Sequence, residues 1–378
     1  MFITIIIFLV VLSLLVFVHE FGHFFSARKL GVKAEEFGFG FPPRVFGVYR
    51  DKNRKWKKVW GKKQVTDNSD TIYSINAIPL GGFVRIKGQD GDNHNDPDSF
   101  SAKRPWKRAI ILSAGVIMNI VLASLLISLG LIIGFPQAID KDNLPKSVQI
   151  YDEKIQIVQV LPDSPAMEAG LQSSDAILKI DGQDVKEEAD IINLISNNQN
   201  ESIDLVIDRS GELKEFEIIP RVSEETGQKI IGVAFSQTGV IKYPWYQALW
   251  EGVKMTGYLI WAILYAFYEI IRNLIVGQPA GVEVAGPIGI ADLTGQMARM
   301  GFIYLIQFTA LLSINLAIIN ILPFPALDGG RLLFLLIEKI KGRPVKQEVE
   351  AVFHNLGFIL LMALVVWVTF KDILKLFS

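Results

Sequence analysis

The 378-residue sequence predicts an α-helical polytopic membrane protein with four transmembrane helices, amphipathic β-hairpins and an inserted α/β domain. Half of the residues are hydrophobic, and four apolar runs approach the roughly twenty residues that cross a hydrocarbon layer about 30 Å thick. Between the second and third runs, short segments alternate apolar and polar residues, as half-buried strands do. The chain has no cysteine, so neither disulfides nor thiolate metal ligands are available to it.

Seven segments follow from these patterns. In chain order they are a first transmembrane helix (1–30), a cytoplasmic loop with short strands (31–105), a second transmembrane helix (106–136), an extracytoplasmic α/β domain (145–225), an interfacial amphipathic helix (244–277), a third transmembrane helix (301–337) and a fourth transmembrane helix (351–376). The first run lacks a basic leading region and a small-residue cleavage site, so we interpret it as a retained helix and not as a signal peptide.

The charges orient these segments. Residues 24–108 contain 18 Lys and Arg against 9 Asp and Glu, whereas residues 137–244 contain 10 against 20. Under the positive-inside rule the first region is cytoplasmic and the second is not, which places both chain termini outside. Because the basic cluster after the third helix should again be inside, residues 245–276 should not cross, and their mixture of charged and aromatic residues suits an interfacial helix. A fifth span with inverted topology downstream is the alternative.

A His-Glu-x-x-His motif lies in the second half of the first apolar run. His19 and His23 are four residues apart, so on a helix both imidazoles leave the same face and can share one Zn²⁺. Glu20 is placed to act as general base on a zinc-bound water. Ionisable residues at membrane depth cost about 2.5–3.5 kcal/mol each and indicate function by default. A chance match in a soluble helix is the alternative.

A third protein ligand must be His94, His354 or a carboxylate, because the chain has four histidines in all. Asp328 is favoured, since Pro323 and Pro325 break the third helix just before it and two glycines after it permit a tight turn. His94 lies in a polar stretch typical of a solvated loop. His354 lies at a helix entrance without an obvious partner.

Asn119 lies in the second apolar helix, and Asn315 and Asn320 lie in the third. Near a zinc site, Asn315 and Asn320 of the third helix would hold the substrate backbone or an oxyanion, and interhelical hydrogen bonding is the alternative. For Asn119 in the second helix, interhelical hydrogen bonding is a sufficient explanation.

Residues 161–185 resemble the PDZ signature of bacterial membrane-associated proteases. Together with HEFGH at 19–23, GPIGI at 286–290 and the NxxPxPxLDGG pattern at 320–330, they make the chain similar to the site-2 protease family of intramembrane zinc metalloproteases, in its bacterial form and with a single PDZ domain. The resemblance implies a zinc metalloendopeptidase with one Zn²⁺ per chain. It would hydrolyse peptide bonds within transmembrane segments of single-span substrates such as anti-sigma factors or remnant signal peptides, and the PDZ domain would act as a size filter.

The same resemblance interprets the cytoplasmic loop as a membrane-associated sheet beside the active site. An exposed edge at Gly82, Phe83, Val84 and Arg85 would receive the unwound substrate as an added strand. The implied setting is the bacterial inner (plasma) membrane, with the PDZ domain extracytoplasmic and the active site near the cytoplasmic side. The expected partners are transmembrane protein or peptide substrates and the lipid bilayer, with no nucleic acid, and the sequence leaves the oligomeric state open.

Two other functions compete with this interpretation. A membrane-anchored zinc protease of soluble peptides would need no transmembrane substrate. A membrane scaffold or metal-binding protein that uses the PDZ domain for partner binding would need no general base, so Glu20 argues against it. A PDZ-like domain that serves only as a steric plug is also consistent with the sequence.

Overall fold

The computed structural model describes residues 2–375 except 62, 64, 66–69, 90–94, 140–144, 146, 199, 210, 223–226, 278–284 and 344. The chain divides into two compact units, Met1–Leu129 with Leu249–Ser378 and Gly130–Ala248. His94 lies outside the described residues.

The elements in chain order are α1 (Phe2–Lys29), β1 (Ala34–Arg50), β2 (Trp56–Trp60), β3 (Ile72–Ile86), α2 (Pro105–Ile133), β4 (Phe135–Ala138), β5 (Gln149–Val160), α3 (Pro165–Glu168), β6 (Ala176–Ile180), β7 (Gln183–Asp184), α4 (Glu188–Ser196), β8 (Ile203–Arg209), β9 (Glu212–Ile218), β10 (Arg221–Val222), β11 (Lys229–Ile230), β12 (Val233–Lys242), α5 (Trp245–Val276), α6 (Pro287–Met300), α7 (Phe302–Ile321), α8 (Asp328–Lys341) and α9 (Gln347–Lys375).

Within the described part of the chain, five helices are long and apolar enough to cross a membrane, namely α1, α2, α5, α7 and α9. This is one more than the four predicted, because α5 also meets the length and composition of a span. Its charges are paired one turn apart, with Lys254 Nζ 2.8 Å from Glu251 Oε1 and Arg272 Nη1 3.2 Å from Glu269 Oε2. Such pairing suits either an interfacial or a crossing helix, so the interfacial position of α5 stays a prediction.

The strands β1, β2 and β3 form an antiparallel sheet in the order β2-β1-β3. Both β1 and β3 fold back on themselves, so residues 34–39 pair with 82–86 on one side, and residues 36–39 also pair with 72–75 on the other. Residues 44–48 then pair with 73–76, and 46–50 pair with 56–60. Among the described residues, the arm 82–86 therefore lies at one edge of this sheet.

This edge arm packs directly on α1. Gly81 has φ +69°, and a Cβ there would lie 2.5 Å from Val16 Cβ, so only glycine allows this approach of the turn to the helix. Ser13 Oγ joins the two elements further, because it donates to Pro79 O and accepts from the Gly81 N–H, both at 3.2 Å. Phe24 of α1 stacks on Phe37 of the neighbouring arm, with ring centroids 4.5 Å apart. The sheet is thereby fixed beside the His-Glu-x-x-His motif.

The predicted third transmembrane segment consists of two helices. The helix α7 ends at Ile321 and α8 begins at Asp328, with Pro323 and Pro325 in the link between them. Neither Pro323 nor Pro325 has a backbone N–H to donate, and both have a fixed φ. The backbone hydrogen bonds of α7 therefore do not continue through them. The link contains Ala326 at φ +71°, a left-handed conformation that is rare for a residue with a Cβ.

The helix α6 begins within the GPIGI sequence, and a carboxylate caps it. Asp372 of α9, only 9% exposed, accepts from the N–H of Gly286 at 3.3 Å and from that of Gly289 at 2.8 Å. A negative charge at a helix N-terminus is favourable because the first backbone N–H groups lack partners within the helix. A Cβ on Gly286 would lie 2.7 Å from Asp372 Oδ2, so glycine is needed here for a close approach.

The second unit contains an antiparallel sheet in the order β4-β12-β5-β6-β8-β9, with β7 paired to β6. Its core is aliphatic and includes Ile191 and Ile195 on one face of α4, which pack with the inward residues of the strands. The sheet extends beyond the predicted range 145–225, since β12 pairs with both β5 and β4. The sequence of β12 contains a polar run, Ser-Gln-Thr-Gly, that hides its strand periodicity.

Candidate active site

Three side chains from distant parts of the chain converge. His19 and His23 lie one turn apart on α1 and are 7% and 5% exposed. Asp328 is the first residue of α8, and its Oδ2 lies 3.0 Å from His19 Nε2 and 3.2 Å from His23 Nε2. The two Nε2 atoms are 3.2 Å apart. Tetrahedral ligand atoms about 2.0–2.1 Å from Zn²⁺ lie about 3.3 Å from one another, so this triangle has the size of a zinc site.

The second nitrogen of His23 determines its tautomer. His23 Nδ1 lies 2.8 Å from the carbonyl oxygen of Ile111 on α2. A carbonyl only accepts, so Nδ1 carries the proton and Nε2 presents a lone pair to the convergence point. A ligating histidine is oriented in this way by a second hydrogen bond outside the metal site.

His19 has a corresponding partner in Asn119, which is fully buried on α2. The amide of Asn119 lies 3.3 Å from His19 Nδ1 and can present either of its heavy atoms to the ring. If Asn119 Nδ2 faces His19 Nδ1, Asn119 Oδ1 is buried and accepts no hydrogen bond from the described residues. If Asn119 Oδ1 faces His19 Nδ1 instead, Nδ1 donates to it, and His19 Nε2 keeps a lone pair for a metal. The donor set therefore fits a cation.

A glycine keeps this space open. A Cβ on Gly115 of α2 would lie 2.6 Å from the Nε2 atoms of both His19 and His23. Any larger residue would press on the edges of both imidazoles. Gly115 and Asn119 are four residues apart, so one face of α2 supplies both the space and the hydrogen bond.

Glu20 lies between the histidines and the sheet edge. The backbone of Val84 faces the Glu20 carboxylate, and a Cβ on Gly82 would lie 3.2 Å from Glu20 Cβ. A cavity of about 510 Å³ opens here, and its lining includes Glu20, Phe83, Val84, Arg85, Asn320 and Asp328. The predicted base, the predicted third ligand and most of the predicted edge thus face one space.

The remaining predicted residues lie elsewhere. Asn315 donates through Nδ2 to the Leu311 carbonyl of its own helix at 3.0 Å and does not line the cavity. His354, for which the sequence offered no partner, accepts at Nδ1 from the Ala326 N–H at 2.9 Å. It is thus separate from the converging group, which consists of His19, His23 and Asp328 among the described residues. That this group holds Zn²⁺ stays a prediction.

Two residues of the site were missed from the sequence. Asn119 was explained by interhelical hydrogen bonding, and it does bridge helices, but its partner is the ring of His19. Gly115 gave no signal by itself. The usable signal was the spacing of Gly115 and Asn119 in an apolar helix of 29 residues. Residues four apart lie on one helix face, so this face offers both space and a hydrogen-bonding amide to a polar group of another helix.

Comparisons with known proteins decide the family. The model of peptidase family M50 matches residues 7–364. The chain belongs to this family. The M50 relatives include the regulator of sigma-W protease RasP of Bacillus subtilis, 30% identical over 459 residues, and the zinc metalloprotease RasP of Oceanobacillus iheyensis, 28% identical over 461 residues. Each alignment covers 99% of this chain and 99% of the relative.

Among solved structures, the PDZ domain of the SdrC-like protein of Listeria innocua aligns with 22% of this M50 chain and 92% of that domain, at 25% identity and a TM-score of 0.20. The membership of the site-2 protease family and the enzyme class predicted from the sequence are confirmed by the family and its relatives. This M50 protein is a zinc metalloprotease that acts on membrane protein substrates, and it is a multi-pass membrane protein.

Proposed function

We propose that one Zn²⁺ per chain, held by His19, His23 and Asp328, serves the hydrolysis of peptide bonds within the transmembrane segments of single-span substrates. The observation that carries the proposal is the convergence of two imidazole lone pairs and one carboxylate oxygen within 3.2 Å of one another. Three acceptors at this distance repel one another unless a cation lies between them. The general base of the reaction is Glu20, which adjoins the same space.

The chemistry divides between the metal and the chain. Zn²⁺, when bound, lowers the pKa of a coordinated water from 15.7 to about 7 and polarises a carbonyl. Glu20 takes the proton from the attacking water and delivers it to the leaving amine. The edge arm at Gly82 and Val84 lies against Glu20 and fixes its side of the cavity. Asn119 and the Ile111 carbonyl hold the imidazoles through their Nδ1 atoms.

The substrate binds along the edge arm. A transmembrane helix hides its amides in its own hydrogen bonds, so it must unwind before attack. A strand added at Gly82, Phe83, Val84 and Arg85 regains backbone hydrogen bonds. Because Val84 and Glu20 line the same cavity and Gly82 lies against Glu20, a strand on this side of the arm brings its peptide bond next to the general base. Asn320 lines the same cavity and holds the substrate backbone. Asn315 stays a prediction, and its Nδ2 donates to the Leu311 carbonyl of its own helix.

The second unit acts as an extracytoplasmic PDZ domain and admits only substrates whose outer domain has been trimmed. The excess of acidic over basic residues in 137–244 supports its position outside the cytoplasm. Anti-sigma factors and remnant signal peptides are single-span proteins that suit such a filter. The name of the Bacillus subtilis relative, a regulator of sigma-W, is in line with the first of these classes. The protein then lies in the bacterial inner membrane with its active site near the cytoplasmic side.

The decisive experiment compares wild type with Glu20→Gln in reconstituted membranes. Both proteins are loaded with zinc, their zinc content is measured, and each is offered a single-span substrate without its outer domain. We expect equal zinc contents, cleavage by wild type and a loss of at least about 10²-fold in the variant, in keeping with removal of a general base. Cleavage of water-soluble peptides at the same rate as the span would favour a membrane-anchored protease of soluble substrates. Zinc bound but no cleavage by either protein, over a panel of spans, would favour the scaffold alternative.

A further inference from the structure

The link between α7 and α8 has a conformation that its own sequence does not favour. Ala326 has φ +71°, whereas a side chain with a Cβ meets the following carbonyl in the left-handed region. Inside the link, the Phe324 N–H donates to Leu322 O at 2.7 Å and the Leu327 N–H donates to Phe324 O at 3.3 Å. These short-range hydrogen bonds tighten the link, and neither involves the N–H of Ala326.

The N–H of Ala326 is satisfied from outside the link. It donates to Nδ1 of His354 on α9 at 2.9 Å. One turn further along α9, Gly357 lies against Pro325 so closely that a Cβ on this glycine would overlap the proline ring. The ring of His354 lies against Phe334 of α8, with centroids 5.8 Å apart. One face of α9 thus holds the link by a hydrogen bond and by packing.

Asp328 is two residues beyond Ala326. The turn that follows is close-packed, since a Cβ on Gly330 would overlap the carbonyl of Phe324. A rotation of the Ala326 peptide therefore displaces Asp328 as part of one rigid turn. Metal ligation tolerates only about 0.2 Å in ligand distance, so a small displacement is enough to weaken it.

We propose that His354 is a positioning residue for the metal site. As a neutral imidazole with its lone pair on Nδ1, it accepts the Ala326 N–H and holds the turn in which Asp328 reaches the two histidines of α1. The proton then resides on Nε2, which lies 3.9 Å from Glu350 Oε1. This inference rests on the proposed role of Asp328 as a zinc ligand.

The alternative is that His354 only fills space between α8 and α9. Three substitutions separate the two roles. Asn in place of His354 keeps an acceptor oxygen near the position of Nδ1, Gln moves the oxygen further along the side chain toward the position of Nε2, and Leu keeps the bulk without any acceptor. Glu350→Gln is the matched control, because it changes the group that faces the other nitrogen of the same ring.

The experiment measures zinc affinity by competition with a chelator, together with kcat and KM on one single-span substrate, in the full-length protein. We expect His354→Leu and His354→Gln to weaken zinc binding about 10- to 100-fold and to lower kcat with little change in KM, as loss of an outer-shell partner does. His354→Asn and Glu350→Gln should stay within about threefold of wild type. Near-wild-type zinc affinity in His354→Leu, or equal loss in His354→Asn and His354→Leu, overturns the proposal.

Asp328→Ala is the reference variant for zinc binding. It distinguishes the failure of Asp328 as a zinc ligand from the failure of His354 as a positioning residue. Wild-type zinc binding by Asp328→Ala contradicts the role of Asp328 and thereby the proposed metal site. Lost zinc in Asp328→Ala, with unchanged zinc in His354→Leu, contradicts the positioning role alone. If His354→Leu does not fold, the comparison of His354→Asn with His354→Gln gives the answer, since both carry an amide.

Discussion

The two halves of the candidate metal site are built in different ways. His19 and His23 belong to an uninterrupted helix, so the spacing of one turn alone brings their imidazoles to one face. Asp328 follows a broken backbone, and its position depends on the link from Ile321, on the glycines after it and on the contact of the link with α9. Half of the site is thus determined locally, and the other half requires tertiary structure.

The difference predicts where the site is robust and where it is sensitive. On the helical side, the histidines keep their spacing whenever α1 is folded, and only a group that enters the space between them or releases their Nδ1 atoms disturbs them. On the broken side, changes several residues from the carboxylate reach it through the link. Three substitutions test this comparison.

The largest effect is expected for Gly115→Ala on the helical side. The added Cβ would lie 2.6 Å from both Nε2 atoms, so the methyl group takes the space that the metal needs. We expect zinc affinity and protease activity to fall by more than about 100-fold, beyond the effect of losing an outer-shell partner. Alanine is a better helix former than glycine by about 1 kcal/mol, so α2 itself should not be weakened.

The matched control is Gly257→Ala on α5, where a Cβ would meet nothing within 4 Å. It makes the same chemical change in another apolar helix and should leave zinc content and activity unchanged. Retention of full zinc content by Gly115→Ala would show that the two imidazoles do not bind metal in the arrangement described.

An intermediate effect is expected for Asn119→Leu, which removes the hydrogen-bond partner of His19 Nδ1. The ring of His19 then loses its fixed tautomer, and zinc affinity should fall about 10- to 100-fold. Asn119→Asp keeps an acceptor oxygen of the same shape and should bind zinc more tightly than Asn119→Leu. Chelator competition on the three proteins measures the order, and equal affinities of the two variants would contradict the assigned orientation of the Asn119 amide.

The smallest effect is expected for Ala326→Gly on the broken side. Glycine adopts φ +71° without the cost of about 1–2 kcal/mol that a Cβ incurs, although it also increases the entropy of the unfolded chain. Zinc affinity should therefore change by less than about threefold. The double variant with His354→Leu is more informative, because the turn with glycine depends less on the His354 hydrogen bond.

We expect the double variant to bind zinc more tightly than His354→Leu alone. The measurement is a double-mutant cycle on zinc affinity, which isolates the coupling between Ala326 and His354. Strict additivity of the two changes would show that the hydrogen bond does not hold the turn.

The same division explains what could be predicted from the sequence. Helical spacing is local, so the histidine pair and the general base were assigned from five residues, and the two prolines predicted the break before Asp328. The partner of Asn119 could not be assigned, because a polar residue in an apolar helix indicates that a partner exists without indicating which one. His354 had no signal at all, since its hydrogen bond goes to a backbone N–H, which every residue except proline offers.

The sheet shows the same limit. Short strands with glycine and proline were expected in this loop. The pairing of residues 36–39 with both 72–75 and 82–85 could not be predicted, because it depends on two strands that each fold back. The strand β12 was missed because its polar run hides the alternation, and its place is set by β4 and β5 on either side. Pairing across such distances in the chain is not encoded in any single segment.

Asp372 and His354 both lie on α9, and each contacts another helix or link. Eighteen residues separate them along α9, which at 1.5 Å per residue is about 27 Å, close to the thickness of a bilayer core. Asp372 accepts hydrogen bonds from the start of α6, and α6 in turn contacts α1 where Gly295 lies against Thr4. His354 accepts a hydrogen bond from the link that precedes Asp328. The helices α1, α6, α9 and α8 are thus joined in a closed series of contacts, and a displacement of α6 would reach the Asp328 carboxylate through α9.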